Sequence, residues 1–381
     1  MNKKPKVAIV GNSLSPHVTN RWQRLSKSYE IESFFIDSNL KADITILPNL
    51  NRLSLPSRLN NPKIMVIIRF IYSIIVLYKL KADVIFVMYA DPLSLLSTLL
   101  FRGRVVISTW GGDLLEDQGA LSNWYERCIT RKALSNSDCI FCVSKELVER
   151  VYVITGGKVK SSPRHLIYGL DTTLYSPIPK DKQLVGDFIT IYSARWCLPV
   201  YNIITIIKSI LILLEKTQGV HLIYRNTDLN HSLAAQEYAE LIKNIIERSG
   251  YQSSFTDVGL ITERERIDLY NQADIVISLS HSDGTPLSVL EAMAMRKIVV
   301  CGKSPYTESL IKHGVNGFLV DKDNPDHVAE QLGCIIDNFE YVESNVTVAA
   351  RSFVEEHADI EKEVPEYISC FRDLMRNRCS D

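Results

Sequence analysis

Short apolar runs rich in valine, isoleucine and phenylalanine recur along the chain, separated by longer stretches whose apolar positions fall at helical intervals. Val7–Val10, Ile31–Ile36, Asp83–Met88, Val105–Thr109 and Cys139–Val143 read as strands. A second series follows at Ile189–Ser193, His221–Tyr224, Asp274–Leu279 and Ile298–Cys301. Strands that are apolar along their whole length and alternate with helices predict parallel sheets covered on both faces. Two such series in 381 residues, more than one core usually supports, predict an α/β chain of two doubly wound domains. The stretch Asp171–Lys182, with two prolines and a charge cluster, reads as the linker. The first domain is therefore placed at 1–178 and the second at 186–358. Residues 359–381 read as a helix, anchored by Tyr367, Phe371 and Met375, that packs back toward the first domain.

Composition narrows the function. The 43 basic and 44 acidic side chains nearly cancel, which argues against a dedicated nucleic-acid partner. No apolar segment with a small-residue cleavage site precedes the first strand, so a secretory signal is not expected. Eight cysteines at irregular spacing read as reduced thiols, hence a cytoplasmic protein. Cys139 and Cys142 form a C-x-x-C, but three residues apart on a strand they face opposite ways and cannot chelate together. No histidine motif with metal spacing occurs, and no metal is expected.

One region breaks the charge balance. From Ile44 to Ala82 there is no acid, while Arg52, Arg58, Lys63, Arg69, Lys79 and Lys81 supply cations around the apolar run Ile64–Leu80. Arg69 interrupts that run, and the strand at Asp83 must return to the sheet, so a membrane span fits poorly. Two readings stand: a helix partly presented to an anionic membrane surface, or a wholly buried core helix.

The segment richest in chemistry is Asp274–Met295. A strand ends near Ser280, a polar turn follows, and a helix is expected to open at Thr285-Pro286, threonine as N-cap and proline in the first turn. The N–H groups of Leu287, Ser288 and Val289 would then face the crevice at the strand ends, an anion site suited to a diphosphate. Asp283 precedes the cap, and Glu291 falls at the edge of the apolar stripe, where a carboxylate at a rim can accept hydroxyl hydrogen bonds from a ribose. A solvated helix glutamate and a turn aspartate explain the same pair.

Here the sequence resembles the family-4 retaining glycosyltransferases of the GT-B fold. Their pattern is an acid, seven residues and a glutamate, and this chain reads Ser280-His-Ser-Asp283-Gly284-Thr-Pro286-Leu-Ser-Val-Leu-Glu291-Ala-Met-Ala294. Further echoes are Gly314-Val-Asn-Gly317, Tyr168-Gly-Leu-Asp171 and Lys81-Ala-Asp83. The resemblance implies two Rossmann-like domains with a cleft between them, and sugar transfer from a UDP- or GDP-sugar to a saccharide or lipid-linked saccharide. It implies that Glu291 binds the ribose and that Gly284 and Leu287–Val289 hold the diphosphate. Asp283 would face the donor sugar, and Arg195 would neutralise the leaving diphosphate, work suited to a planar guanidinium. Asp113, in Trp110-Gly-Gly-Asp113, would meet the substrates, and the turn from Gly11 to His17 would line the acceptor side. Two departures stand out. The family usually carries a lysine six residues after the arginine, and this chain has Tyr201. The usual glycine-rich turn is replaced by Tyr224-Arg225-Asn226, where Arg225 is either a substitute cation or an exposed loop residue. A nucleotide-sugar epimerase on the same scaffold, and a non-catalytic scaffold subunit, remain as alternatives.

Overall fold

In a computed structural model the described residues are 4–12, 15–37, 77–115, 121–178, 188–226 and 232–376. Most of the acid-free stretch, residues 44–76, lies outside them. The chain divides into two compact units: Met1–Gly169 together with Ile360–Asp381, and Leu170–Asp359. The units therefore change at Gly169, ahead of the linker read from sequence. Residues 170–178 go with the second unit because Arg351 donates to the Tyr175 carbonyl at 3.2 Å and Thr172 donates to Asp359 at 2.5 Å.

The first unit holds β1 (Lys6–Gly11), α1 (Pro16–Lys27), β2 (Glu32–Asp37), β3 (Val84–Met88), α2 (Pro92–Leu100), β4 (Arg104–Thr109), α3 (Trp124–Asn136), β5 (Cys139–Cys142), α4 (Lys145–Thr155) and the two-residue β6 (Arg164–His165). Its strands are all parallel, in the order β2-β1-β3-β4-β5-β6. Alternation along β1 shows both faces covered: Val7 and Ile9 join one core cluster, Ala8 and Val10 another. The first cluster is completed by the chain's last described helix (Ile360–Arg376), which buries Val364, Tyr367, Ile368 and Phe371 among β1, β3 and β5 side chains. That helix is fixed by an ion pair at the bottom of the core. Arg21 of α1 meets Glu363 at 2.6 and 3.1 Å, each side chain 1% exposed. The Tyr367 hydroxyl donates to the same carboxylate at 2.7 Å, and the Tyr168 ring lies 3.5 Å from the guanidinium carbon.

The second unit runs β7 (Ile189–Trp196), α5 (Ile203–Leu214), β8 (Val220–Arg225), α6 (Leu233–Ser249), β9 (Phe255–Val258), α7 (Glu263–Gln272), β10 (Ile275–Ser278), α8 (Leu287–Ala294), β11 (Ile298–Gly302), α9 (Pro305–Leu310), β12 (Phe318–Val320), α10 (Pro325–Asp337) and α11 (Phe339–His357). The final helix of the first unit is then α12. The sheet order is β12-β11-β10-β7-β8-β9, all parallel, so successive connections leave in opposite directions from the pair β7 and β10. In open α/β sheets the crevice beyond the strand ends at such a switch is where ligands bind. One irregularity shapes it. Ser193 pairs with Tyr224 and Trp196 with Arg225, so two extra residues, Ala194 and Arg195, bulge out of β7 at its carboxyl end.

Candidate active site

The bulge re-aims Arg195. Its guanidinium forms an ion pair with Asp283, on the turn leaving β10, each side chain less than a fifth exposed. Burial pulls the Arg195 pKa below its usual value, and its Nε has no hydrogen-bond partner. The Tyr201 ring lies 4.7 Å from the guanidinium carbon, so the residue standing in place of the lysine is a platform under the arginine.

Helix α8 begins one residue later than its sequence suggests. Pro286 is the N-cap with no side-chain cap, and Thr285 Oγ1 is buried without a partner. The Leu287 and Val289 N–H groups are already bonded, to the carbonyls of Thr285 and Pro286 at 2.8 Å. Of the three expected donors, Ser288 is the one whose N–H has no backbone acceptor among the described residues, and its buried Oγ is also unpartnered. The other two donors are spent in tight turns at the helix start, Leu287 on the carbonyl two residues back and Val289 on that of Pro286, three back. Gly284 is buried between Asp283 and this helix start.

Glu291 is buried, 2% exposed, and does not stand at a rim. Tyr270 of α7 donates to its Oε2 at 2.7 Å, and Arg266, one turn earlier on the same helix, lies 3.3 Å from Oε1. Burial nevertheless holds the Glu291 carboxyl above its ordinary value, outweighing the arginine and the tyrosine. Arg266 also donates to the Tyr175 hydroxyl at 2.5 Å and lies 3.6 Å from Glu263. Sequence reasoning missed Arg266, Tyr270 and Tyr175. A signal existed: the capping box of Thr262 and Glu265 fixes the start of α7 and puts Arg266 and Tyr270 four residues apart on one face.

Arg225, the last residue of β8, is 8% exposed, which corrects the reading as a solvated loop arginine. Its guanidinium carbon is 3.9 Å from the Trp196 ring, and its Nη1 donates to the Ala194 carbonyl at 3.3 Å. The sequence leaves this open because a strand's end and a loop's start look alike to a hydrophobic pattern.

In the first unit, Asp113 is 4% exposed and fully engaged. It accepts from the Trp110 and Gly111 N–H groups at 3.0 and 2.9 Å with one oxygen, and from Ala90 at 3.0 Å with the other. Burial raises its pKa against those bonds. With both oxygens accepting from backbone, Asp113 organises the loop after β4, and no contact among the described residues bears on the catalytic role expected of it. Gly111, at φ 114°, supplies the turn that this clamp requires. Gly11 is buried at the end of β1, where an added Cβ would stand 2.7 Å from Val18 of α1, so it serves close helix packing. Tyr89, at the end of β3 and at φ 146°, is a strained non-glycine residue at this sheet's own switch point, also missed.

Two family models match the chain: "Glycosyl transferase 4-like" over residues 6–144 and "Glycosyl transferases group 1" over 178–345. An uncharacterized glycosyltransferase of Haemophilus influenzae is 31% identical over 104 residues, 27% of this chain and 29% of that protein's length. Anabaena HepE, solved with UDP and glucose and also with UDP-glucose, superposes with a TM-score of 0.75 at 15% identity over 97% of this chain and 99% of that one. Sucrose-phosphate synthase of Thermosynechococcus elongatus does so at 0.76 and 14% identity, covering 98% and 100%. The chain belongs to the family-4-like glycosyltransferases of the GT-B fold. Among the described residues no group of acid, cysteine and histidine side chains is placed to hold a metal ion, and no helix is long and apolar enough to cross a membrane.

Proposed function

We propose that this chain transfers a sugar, with retention at the anomeric carbon, from a UDP- or GDP-sugar to a hydroxyl of a saccharide or lipid-linked saccharide. The work is cytoplasmic, at the inner face of a membrane, in assembly of cell-surface polysaccharide or glycolipid, and needs no metal. The observation that carries the reading is the β7 bulge, which turns Arg195 toward Asp283 at the sheet's switch point beside the unfilled Ser288 donors. A preorganised cation and dipoles aimed where diphosphate charge develops lower the barrier to its departure. Arg195 meets that charge, Ser288 binds a phosphate oxygen, Asp283 faces the sugar and Glu291 accepts ribose hydroxyls. The departing phosphate takes the acceptor's proton. HepE, with UDP-glucose bound, supports the donor class.

The test has two stages. Thermal unfolding with UDP, GDP, ADP and CMP should show one nucleoside diphosphate raising Tm, by about 5–10 °C at a hundredfold excess over Kd. The matching labelled sugar should then pass to a membrane extract, and epimerised donor without acceptor would contradict transfer. Tyr201 in place of the usual cation favours the scaffold alternative, which predicts no nucleotide binding at all. Vesicle co-sedimentation tests the membrane reading: Arg58→Glu with Lys63→Glu should weaken a salt-sensitive association, each cation near the surface contributing roughly 1 kcal/mol. Equal, negligible sedimentation with neutral and anionic vesicles would remove it.

A further inference from the structure

Three arginines crowd the carboxyl ends of β7 and β8 and the facing helix, and their counter-charges are unequal. Arg195 has Asp283, while Arg266 has Glu291 and Glu263. Arg225 has no carboxylate partner among the described residues, although it is more than nine-tenths buried. Its Nε is buried with nothing to bond, and so are the hydroxyl of Tyr192 and the Nε of Arg266, both of which it interacts with electrostatically. Burial lowers the Arg225 pKa, and the more distant Glu291 carboxylate only partly offsets that loss.

The group is nonetheless held in place. The Trp196 ring stacks on one face of the guanidinium and the Ala194 carbonyl takes one N–H, which leaves the remaining donors directed and unused. A folded protein keeps a buried guanidinium with an unbonded Nε and no ion-pair partner at a cost that an arriving anion removes. Ala194 is the residue before Arg195 on the bulge, so an anion that reaches Arg195 comes within the neighbourhood of Arg225.

We infer that Arg225 binds a phosphate of the donor's diphosphate, supplying from the end of β8 the second cation whose usual place is taken by Tyr201. The inference rests on the donor reading above and assigns a residue to it. Tyr192 contributes its hydroxyl to the same phosphate. Tyr201 is then free to be aromatic, and it uses its ring to hold Arg195 rather than its own charge to hold the ligand.

A purely structural Arg225, pinning the bulge through Ala194, is the competing account, and charge separates the two. Calorimetric titration of the full chain would compare UDP and GDP with uridine and guanosine, for wild type, Arg225→Gln and Arg225→Lys. Arg225→Gln should lose roughly ten- to hundredfold in affinity for the nucleoside diphosphate and nothing for the nucleoside. Arg225→Lys should recover most of the loss, since it keeps the charge and gives up the planar stack. Unchanged diphosphate affinity in Arg225→Gln would overturn the inference. So would equal weakening of nucleoside and diphosphate, or an Arg225→Lys as weak as Arg225→Gln; both mean that the side chain acts through the bulge. Wild-type protein that binds neither UDP nor GDP overturns the donor reading itself, and this assignment with it. Should Arg225→Gln fail to fold, the Arg225→Lys comparison and the salt dependence of wild-type binding carry the same decision.

Discussion

Glu363→Gln should be among the most damaging conservative substitutions in this chain. The native carboxylate receives both arms of Arg21, at 2.6 and 3.1 Å, together with the Tyr367 hydroxyl at 2.7 Å and the Gly169 N–H at 3.1 Å. The amide keeps the shape but turns an NH₂ toward donors and removes the carboxylate charge that faces Arg21, itself 1% exposed. Removing one partner of a fully buried pair costs about 3–5 kcal/mol. The stacked Tyr168 ring restores little, because cation–π attraction contributes at most about 2 kcal/mol and is present before and after. At about 2–4 °C per kcal/mol for a unit of this size, Tm of the first unit should fall by roughly 6–20 °C. Urea unfolding followed by circular dichroism measures the loss, and nucleotide binding by the second unit should survive it. The double variant Arg21→Met with Glu363→Met should regain most of the stability, since well-packed apolar replacements of buried pairs are often neutral. A Glu363→Gln protein within about 1 kcal/mol of wild type, or a double variant no better than the single, would refute the reasoning.

Glu291→Gln separates stability from binding. Because burial holds the Glu291 carboxyl above its ordinary 4.5, its contribution to stability is complete below that pH and is lost as pH rises through the raised value. The substitution should therefore flatten the pH profile of unfolding and leave the unliganded protein within about 1 kcal/mol at neutral pH, while nucleotide affinity falls about tenfold. Unchanged affinity would remove the ribose assignment. Tyr201→Phe should keep nucleotide affinity and turnover, and Tyr201→Lys should lower turnover by placing a like charge where a ring supports Arg195; steady-state rates decide, and the opposite order would show that the ring is incidental. Asp113→Asn should cost about 1–3 kcal/mol by setting a donor against the Ala90 N–H, read by thermal melting, with nucleotide titration of the second unit unchanged.

What was legible in the sequence follows from what hydrophobic patterning encodes. Buried strands such as Val84–Met88 and Ile298–Gly302 announce themselves because both faces are covered. The edge strand Phe255–Val258, with Thr256 and Asp257 exposed, and the two-residue β6 carry no such mark and went unread. The Asp283–Glu291 segment was found by its motif, but its electrostatics were not. Burial of Glu291 depends on Arg266 and Tyr270, which lie twenty-five and twenty-one residues earlier in the chain. The bulge was invisible for a different reason. Adding two residues to one strand preserves the apolar alternation on either side, so nothing in Tyr192-Ser-Ala-Arg-Trp196 says that the register with β8 slips there. Arg225 could be assigned to interior or surface only once that slip put Trp196 beside it.

The way the chain leaves and re-enters the first unit has a consequence for its synthesis. Leu170 bonds to the Ala358 carbonyl at 2.7 Å and bridges Asp359, so the entire second unit is an excursion that departs and returns at one point. The first unit's core stays open until Val364, Tyr367, Ile368 and Phe371 arrive, and these are made only after the whole second unit, Leu170–Asp359. At about 5–20 residues per second, the N-terminal half waits roughly 10–40 s on the ribosome for the intervening segment. During that interval the faces of β1, β3 and β5 that α12 will cover, with Phe86 and Phe141 among them, are exposed on a nascent chain. The second unit, continuous in sequence, can complete first, whereas the first unit cannot close its core until the chain has returned to it.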